Sequence, residues 1–543
     1  MSTPDQALGA LRALLGPANV RSDDATLDAY ARSTAGRPCR PSGVVLPGSV
    51  AEVVEAVRTA ARHRLPLYAI STGHNWGYGD ACAVVPGQLI LELSRMNRIV
   101  SFDRELGVVV LEPGVTQGQL AAYLRAQDAP FWMDSTGAGP DTSLIGNIVE
   151  RGFGHSPYGN RLLHVAGMEV VLADGTVLCT GFGHYPSART THLYPYGIGP
   201  WLDGIFTQSN LGIVTRLGLW LMPRAERVNH FLASVERHEE VAAMVDALRP
   251  LRMDGTLRSV IHIGNDLRVL SGGMTFPHAL TGGSAFLPDE VRARLRREAG
   301  VGAWTVSGAL YGNLDQVAAA RRAVRAALRS TRARTTFLTP SKLRLGAWTA
   351  RLLGASAAGQ RMRGRVALGE SLFAMNRGEP NGRFLAGAYW RRKGGLPPDF
   401  PRGANPAADG CGLLWISPVL PMRGRDLLNV HDLAQPVFAR YGFDLFATFS
   451  MINERTLGGV LTIAFDRDDA AETARAQTCY ASLFEQCMTA GYIPYRAGLQ
   501  SMGALDPAYD SYWQTVRKIK DALDPDGILA PGRYEPWRAS QRG

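Results

Sequence analysis

The segment STGHNWGYGD, residues Ser71–Asp80, combines three glycines with a histidine, a tryptophan and a tyrosine. It follows LPLYAIS, an apolar run typical of a short buried strand, and a helical pattern that begins after the cap residue Ser49. Glycine tolerates positive φ and adds no side chain, so the backbone N–H groups of such a loop can converge on one anion, for example a pyrophosphate. A tight turn capped by serine and asparagine explains this single loop equally well.

Two further glycine-rich loops favour the anion-binding interpretation. They are SLIGNIVERGFGHSPYGN at residues 143–160 and WLDGIFTQSNLGIVT at residues 201–215, and each comes before a strand pattern. A plain turn explains one such loop but not three in the same region. Together they predict an elongated cofactor that carries phosphate groups.

Composition places the chain among soluble globular proteins of two domains, with 543 residues, 46% hydrophobic and 20% charged. The net charge of +10 is scattered and forms no basic stripe interleaved with aromatic residues, so we expect no nucleic-acid partner. No signal peptide and no membrane span are predicted, and a cytoplasmic location is expected. The six cysteines share no short spacing with each other or with histidines, so no metal site is expected.

The order of helix and strand patterns predicts a mixed α+β fold. Strand patterns at QLILELS, RIVSFD and LGVVVLEPG are followed by the amphipathic TQGQLAAYLRAQD. The regular alternation of a Rossmann domain, with GxGxxG directly after its first strand, is missing. The tail DSYWQTVRKIKDALDPDGILAPGRY predicts a helix stopped by Asp-Pro-Asp-Gly and then an extended segment that returns to the first domain.

Six motifs in chain order resemble the vanillyl-alcohol oxidase/p-cresol methylhydroxylase family of FAD-dependent 4-phenol oxidoreductases. The motifs are YAISTGHNWGYG, LEPGVTQGQL, GNIVERGFGHSPYGN, GMEVVLADGTV, GPWLDGIFTQSNLGIVT and DALDPDGILAPGRY. The resemblance covers most of residues 40–225 and 405–535, whereas residues 235–400 match loosely. It implies a two-domain PCMH-type FAD-binding fold with an α+β cap domain. The FAD-binding domain would take residues 1–225 and 498–543, and the cap would take residues 226–497.

The resemblance implies a phenolate-binding trio of Tyr78, Tyr495 and Arg496. Two phenol O–H donors and a guanidinium that converge on one oxygen favour a bound phenol as its phenolate. The phenolate assists hydride loss from the para-benzylic carbon to the flavin and leaves a p-quinone methide. Tyr495 and Arg496 as a plain surface pair at a strand end are the alternative.

The resemblance also implies which residues surround FAD, and His74 has a special place among them. His74 resembles the Gly-His of the berberine-bridge enzyme group, whose histidine bonds to the flavin, so we predict FAD attached covalently through His74. A hydrogen bond to FAD is the alternative. The implied set is Ser71, Thr72, Gly73, His74, Asn75, Gly146, Asn147, Gly152, Gly154, Tyr158, Gly159, Gly212, Ile213 and Arg533.

The sequence departs from the family pattern on the cap side. Leu413 stands where a cap histidine makes the usual flavin link, and nearby Cys411 is interpreted as a buried thiol in preference to a second tether. His155 and His164 are expected to surround the flavin or lie in the core. Gly458 and Gly459 replace bulky imidazoles, which predicts a wider pocket and a longer substrate.

The family's catalytic aspartate is also displaced. Ala138 stands at its position, so either Asp141 fills the catalytic role after a loop shift or no carboxylate lies over the flavin. Without that acid, a substrate with its own carboxylate can collapse from the quinone methide by losing CO₂, giving a vinyl product. Hydration and desaturation are the other outcomes.

The predicted function is therefore FAD-dependent hydride abstraction from a para-hydroxyphenyl substrate, with oxidative decarboxylation as one fate. Dioxygen is the expected electron acceptor, a cytochrome is the alternative, and a homodimer is the expected assembly. Two other functions stay open: an alcohol or amine oxidase that does not use phenolate, and a catalytically silent flavin-binding protein.

Overall fold

The computed structural model describes residues 4–505 and 510–538, and its first sheet leads into the glycine loop at Ser71. The elements are α1 (Pro4–Leu15), β1 (Val20–Arg21), α2 (Asp24–Ala31), β2 (Gly43–Val45), α3 (Val50–His63), β3 (Leu67–Ile70) and β4 (Leu89–Glu92). Strands β2, β4 and β3 are parallel, and β1 adds antiparallel to β2. As predicted, Ser49 caps α3 by accepting the Glu52 N–H at 3.2 Å. The apolar face of α3 then packs on the sheet.

A five-stranded antiparallel sheet carries the other two glycine loops. Its elements are β5 (Ile99–Asp103), β6 (Val108–Leu111), α4 (Gln117–Ala126), β7 (Phe131–Trp132), α5 (Leu144–Val149), β8 (Val165–Val171), β9 (Val177–Cys179), β10 (Ile213–Trp220) and β11 (Met222–Pro223). The strand order is β5-β6-β10-β8-β9, while β7 and β11 pair separately. The strand patterns at residues 98–111 and the helix pattern at residues 116–128 are confirmed.

An eight-stranded antiparallel sheet fills most of the remaining chain. Its strands are β12 (Arg227–Val235), β13 (Ile261–Asn265), β14 (Trp304–Gly312), β15 (Arg334–Leu338), β16 (Cys411–Ile416), β17 (Val419–Pro421), β18 (Phe446–Met451) and β19 (Thr456–Asp466). The order is β15-β12-β14-β13-β18-β19-β16, with β17 also paired to β19. Helices α6 (Glu240–Met253), α7 (Asp266–Leu270), α8 (Asp289–Ala299), α9 (Leu314–Ala327), α10 (Pro340–Leu352), α11 (Ala357–Asn376), α12 (Gly424–Tyr441) and α13 (Ala470–Thr489) accompany it. Its buried face forms the largest apolar core with α6, α9, α12 and α13.

The end of the chain joins the first sheet. Helix α14 (Ser511–Leu523) stops before the Asp-Pro-Asp-Gly turn, as predicted. The Leu67 N–H then donates to Ile528 at 2.8 Å and the Ala530 N–H donates to Leu67 at 2.6 Å, so this segment lies beside β3. The domain boundaries at residues 225 and 497 stay predictions. No helix within residues 4–505 and 510–538 is long and apolar enough to cross a membrane.

Candidate active site

A cavity of about 390 Å³ brings the glycine loops together with the eight-stranded sheet. One wall comes from the loop after β3, from α5 and its flanks, and from the segment before β10. The other wall comes from β13, α7, β18, β19, and a 3-10 segment, Gly382–Tyr389. The cavity is therefore assembled from segments that are hundreds of residues apart in the chain.

The loop after β3 presents unused hydrogen-bond donors to this cavity. Across the part of the chain that the structure describes, no backbone N–H from Thr72 to Trp76 donates a hydrogen bond. Helix α5 approaches so closely that a Cβ on Gly146 would lie 3.1 Å from Ser71 Oγ. Free donors beside small residues fit the pyrophosphate of FAD, because an anion would satisfy them all at once.

The far end of the loop is tied to the N-terminal segment. Asp80 accepts hydrogen bonds from the Thr34 N–H and from Thr34 Oγ1, and the Gly77 N–H donates to Thr34 Oγ1 at 3.1 Å. Gly77 has φ of 74°, and a Cβ there would lie 2.7 Å from the Trp415 ring, so glycine is required. Burial raises the pKa of Asp80 to about 7, against the lowering effect of its hydrogen bonds to Thr34.

His74 lines the cavity and is fixed by its neighbours. Its ring stacks on Trp76 with centroids 4.8 Å apart, and Trp76 donates through Nε1 to the Ala138 carbonyl at 3.1 Å. Burial lowers the pKa of His74, which keeps the imidazole neutral and able to act as a nucleophile. Asp141 lies beside His74 but is exposed and does not line the cavity. The loop shift that would bring Asp141 into a catalytic position is not observed.

Most residues predicted to surround FAD line the cavity, and three do not. The lining residues are Ser71, Thr72, Gly73, His74, Asn75, Gly146, Asn147, Gly152, Gly212, Ile213 and Arg533. Gly154 instead allows the backbone to approach the buried Asp134–Arg161 ion pair, since a Cβ on it would lie 1.8 Å from Asp134 Oδ2. Gly159 is pressed against Val260. Both glycines are explained by close packing, and their contact with FAD stays a prediction.

Tyr158 is the third residue outside the cavity lining. Its ring stacks flat on His164 with centroids 3.8 Å apart. Burial lowers the pKa of His164 to about 4, so this histidine is neutral at physiological pH. The pair packs at the rim of the core and has no contact with the cavity.

The structure brings Tyr78, Tyr495 and Arg496 together at the cavity. The Arg496 guanidinium carbon lies 4.3 Å from the centroid of the Tyr78 ring, and the Tyr78 hydroxyl hydrogen-bonds to Ser417. Burial raises the pKa of both tyrosines, while Arg496 lowers them. Both phenols are therefore protonated donors beside a fixed cation. The Ser417 contact was not anticipated from the sequence.

Glu150 organises the positive charge beside this trio and was missed by the sequence analysis. Its carboxylate pairs with Arg533, and Oε2 lies 3.3 Å from Arg496 Nε and 3.2 Å from the Tyr534 hydroxyl. Arg496 also donates from Nη2 to Asn75 Oδ1 at 2.5 Å. Two arginines thus share one carboxylate, so a positive charge is left over. Glu150 lies directly before the arginine of the motif GNIVERGFG, and this position in the sequence could have indicated a role at the site.

The cap wall differs in part from the predictions. Leu413 lines the cavity as expected, whereas Cys411 is buried outside it and cannot contact a group there. Burial raises the pKa of the Cys411 thiol to about 12. A Cβ on Gly458 would meet Ile452 at 3.3 Å and Phe153, a lining residue, at 3.7 Å, but one on Gly459 would meet Pro418 at 3.0 Å. Gly459 therefore does not widen the cavity, and that part of the prediction is wrong.

Comparison with known proteins gives full-length matches. A family model described as an FAD binding domain matches residues 41–181, and one described as the C-terminal domain of FAD linked oxidases matches residues 456–534. The chain is 39% identical to 1'-carboxy-chondrochloren decarboxylase of Chondromyces crocatus, covering 98% of this chain and 97% of that protein. It is 32% identical to the 4-cresol dehydrogenase [hydroxylating] flavoprotein subunit of Pseudomonas putida, covering 97% and 95%.

A solved structure, p-cresol methylhydroxylase with substrate bound, superposes with a TM-score of 0.86 at 31% identity, covering 98% of this chain and 96% of that one. The fold, the free donors of the glycine loop and these matches define an FAD-dependent oxidoreductase. The chain belongs to the vanillyl-alcohol oxidase/p-cresol methylhydroxylase family, and FAD is its cofactor. The predicted α+β, PCMH-type two-domain fold is confirmed.

Proposed function

We propose that this enzyme removes a hydride from the benzylic carbon of a para-hydroxyphenyl substrate bound as its phenolate. The proposal rests on the net positive charge beside Tyr78 and Tyr495. Arg496 and Arg533 share the single carboxylate of Glu150 there, so one positive charge is not neutralised. A phenolate oxygen of the substrate would neutralise this charge. The similarity to 4-cresol dehydrogenase supports a phenolic substrate.

The chain's own residues prepare the substrate. The Tyr78 and Tyr495 hydroxyls would donate to the phenol oxygen while Arg496 balances its charge, so the bound phenol loses its proton more easily. The phenolate pushes electrons toward the para position, and the benzylic hydrogen leaves with its electron pair. Bound FAD supplies the hydride acceptor. The oxidised substrate is then a neutral p-quinone methide.

We further propose that the quinone methide collapses by decarboxylation. Among the described residues that line the cavity, Asp80 and Glu150 are the only carboxylates, and both are engaged, with Thr34 and with arginines. No free carboxylate is therefore at hand to activate water. If the substrate carries a carboxylate on the carbon next to the benzylic one, its C–CO₂⁻ bond breaks and CO₂ leaves. The released electron pair forms the vinyl double bond and restores the phenolate, so charge and electrons balance.

We also propose that FAD is attached through the neutral His74 ring, that dioxygen takes the two electrons from the reduced cofactor, and that the enzyme is a homodimer. The name of the decarboxylase relative supports the loss of CO₂. Oxygen uptake and peroxide formation during turnover would support dioxygen, and a need for an added cytochrome would contradict it.

The test is anaerobic mixing of the holoenzyme with 3-(4-hydroxyphenyl)propanoate, while flavin absorbance and product mass are followed. We expect bleaching and a product that has lost CO₂. The O-methyl ether of the same compound should not bleach the flavin, and Tyr495→Phe should slow bleaching by roughly 10- to 100-fold, the scale of a lost transition-state hydrogen bond. Bleaching by non-phenolic alcohols or amines, unaffected by Tyr495→Phe, would instead favour an alcohol or amine oxidase. If no tested compound bleaches the flavin, the silent flavin-binding alternative stands.

A further inference from the structure

Arg268 brings a third arginine to the cavity, on the cap wall. It lies in helix α7, directly after β13, and its backbone N–H is capped by Asn265 Oδ1 at 3.0 Å. Its side chain extends to the 3-10 segment Gly382–Tyr389, where a Cβ on Gly387 would come within 2.7 Å of Arg268 Nη1. The missing side chain of Gly387 therefore makes room for the guanidinium in the cavity.

The guanidinium of Arg268 is unpaired. Within residues 4–505 and 510–538 it makes no ion pair and no hydrogen bond, although burial lowers the pKa of Arg268 and no other group offsets this. Its acidic neighbour Asp266 is already bound by Arg292 through contacts of 2.8 and 2.5 Å. An uncompensated cation in a closed site is costly, and such a group is normally matched by an anion.

Arg268 is half-buried, and the more deeply buried arginines of the described residues have partners. Arg161 pairs with Asp134 at 2.8 Å, and Arg391 pairs with Glu472 at 2.9 Å. Arg252 donates to two backbone carbonyls at 2.8 Å each. Arg268 differs from these because its missing partner would have to come from the cavity itself.

His262 adds a neutral donor beside Arg268. It lines the cavity, its Nδ1 lies 2.9 Å from Ser450 Oγ, and its Nε2 has no partner among the described residues. His155 lies against it, with ring centroids 4.4 Å apart. Burial and the charge of Arg268 lower the pKa of His262, so its ring is neutral. With Ser450 donating to Nδ1, Nε2–H is a donor without a partner among the described residues, and this nitrogen is buried in the cavity wall.

We propose that Arg268, with His262, binds the side-chain carboxylate of the substrate. This inference rests on the proposed function, which places the phenolate oxygen of the substrate at Arg496. The cavity then holds two anionic groups of the substrate, the phenolate at Arg496 and the carboxylate at Arg268. The guanidinium of Arg268 provides the planar pair of donors that a carboxylate accepts, and the imidazole N–H of His262 is a further unpartnered donor in the same wall. Loss of CO₂ removes the anion from Arg268, so the vinyl product binds more weakly than the substrate and leaves.

The test compares two probes of nearly equal shape, 3-(4-hydroxyphenyl)propanoate and 4-propylphenol, on wild type and Arg268→Met. Dissociation constants are measured by flavin difference spectra of the anaerobic holoenzyme, and bleaching rates are measured beside them. We expect Arg268→Met to weaken the propanoate by roughly 10- to 100-fold, the scale of a lost charged hydrogen bond, and to leave 4-propylphenol within about twofold. Arg268→Lys should recover part of the loss.

Two controls keep the outcome clear. Arg294→Met, on the exposed face of α8, should change neither probe, and the FAD content and Tm of each variant show whether it has folded. 3-(4-Methoxyphenyl)propanoate cannot form a phenolate, so its dissociation constant reports the carboxylate subsite even if no probe bleaches the flavin. Equal weakening of both propanoate and propylphenol, or no change in either, would overturn the role of Arg268.

Discussion

His74 is the residue on which the attachment of the cofactor depends. Its ring is held against Trp76 in the loop that offers free N–H groups, and burial lowers its pKa, so a neutral nitrogen faces the cavity. We expect wild-type protein to keep its yellow colour in the pellet after acid precipitation. His74→Ala should release all its flavin, because the proposed covalent bond is made by the His74 ring and alanine offers no nucleophile in its place.

A matched histidine variant separates covalent attachment from general loosening of the cofactor. His164→Ala changes a histidine that stacks on Tyr158 outside the cavity, and it should retain the flavin in the pellet. Complete release of colour from the wild type on acid treatment would rule out the covalent bond and leave His74 as a hydrogen-bonding residue.

Single residues also show where sequence reasoning reaches its limit. Tyr78, Tyr495 and Arg496 were predicted because each lies within a recognisable motif, and the structure gathers all three at the cavity. Glu150 and Arg268 were missed because their significance lies in charge pairing across the fold. The Glu150 carboxylate forms ion pairs with two arginines, whereas Arg268 forms none among the described residues. Neither fact can be predicted from the sequence before the partners of each residue are known.

Among the structural elements, the loop from β3 to Asp80 should make the free energy of unfolding depend on pH. The pKa of Asp80 is raised from 3.8 to about 7 because burial disfavours its charged form. The folded state therefore holds a proton that the unfolded state has already released. This contribution to stability is complete below about pH 4 and is lost as pH rises toward 7.

Asp80→Asn should remove this loss, since asparagine keeps an oxygen acceptor for Thr34 and tolerates the positive φ of 55° at this position. We expect the variant to exceed wild type in free energy of unfolding by on the order of 2–4 kcal/mol at pH 8. The two should converge near pH 4 in urea titrations. Asp141→Asn, an exposed acid beside the same loop, serves as control. A constant difference across this pH range would contradict a raised pKa of Asp80.

Regular elements were predictable from the sequence, whereas irregular ones were not. The cap of α3 at Ser49 and the strands of the first domain follow from the spacing of apolar and capping residues along the chain. Contacts with distant elements do not change these local preferences. The segment Gly382–Tyr389 folds as a 3-10 helix that was not predicted, and it brings Phe384 and Gly387 to the cavity. Its position depends on packing against distant elements, so residues 235–400 gave no functional prediction.

For the whole molecule, the active site depends on both ends of the chain meeting at β3. Lys520 is fully buried and holds this junction, because its Nζ donates to the carbonyls of Asn210 and Leu529 at 2.8 and 2.9 Å and pairs with Asp524 at 2.6 Å. Asp524 in turn accepts the Leu529 N–H at 2.8 Å. The junction therefore fixes the segment that carries Arg533 to the cavity.

Lys520→Met should loosen this junction, since methionine fills a similar volume but leaves the Asp524 carboxylate buried without a cation. Breaking a buried ion pair on one side costs about 3–5 kcal/mol, so we expect a clear fall in Tm and a lower FAD content in the purified protein. Lys518→Met changes an exposed lysine of the same helix and should leave both quantities unchanged. Asp524→Asn combined with Lys520→Met should recover part of the lost Tm, because the uncompensated charge is gone. If Lys520→Met melts like wild type and keeps its flavin, the return of the chain end does not depend on this ion pair, and the sheet hydrogen bonds at Leu67 alone hold the site together.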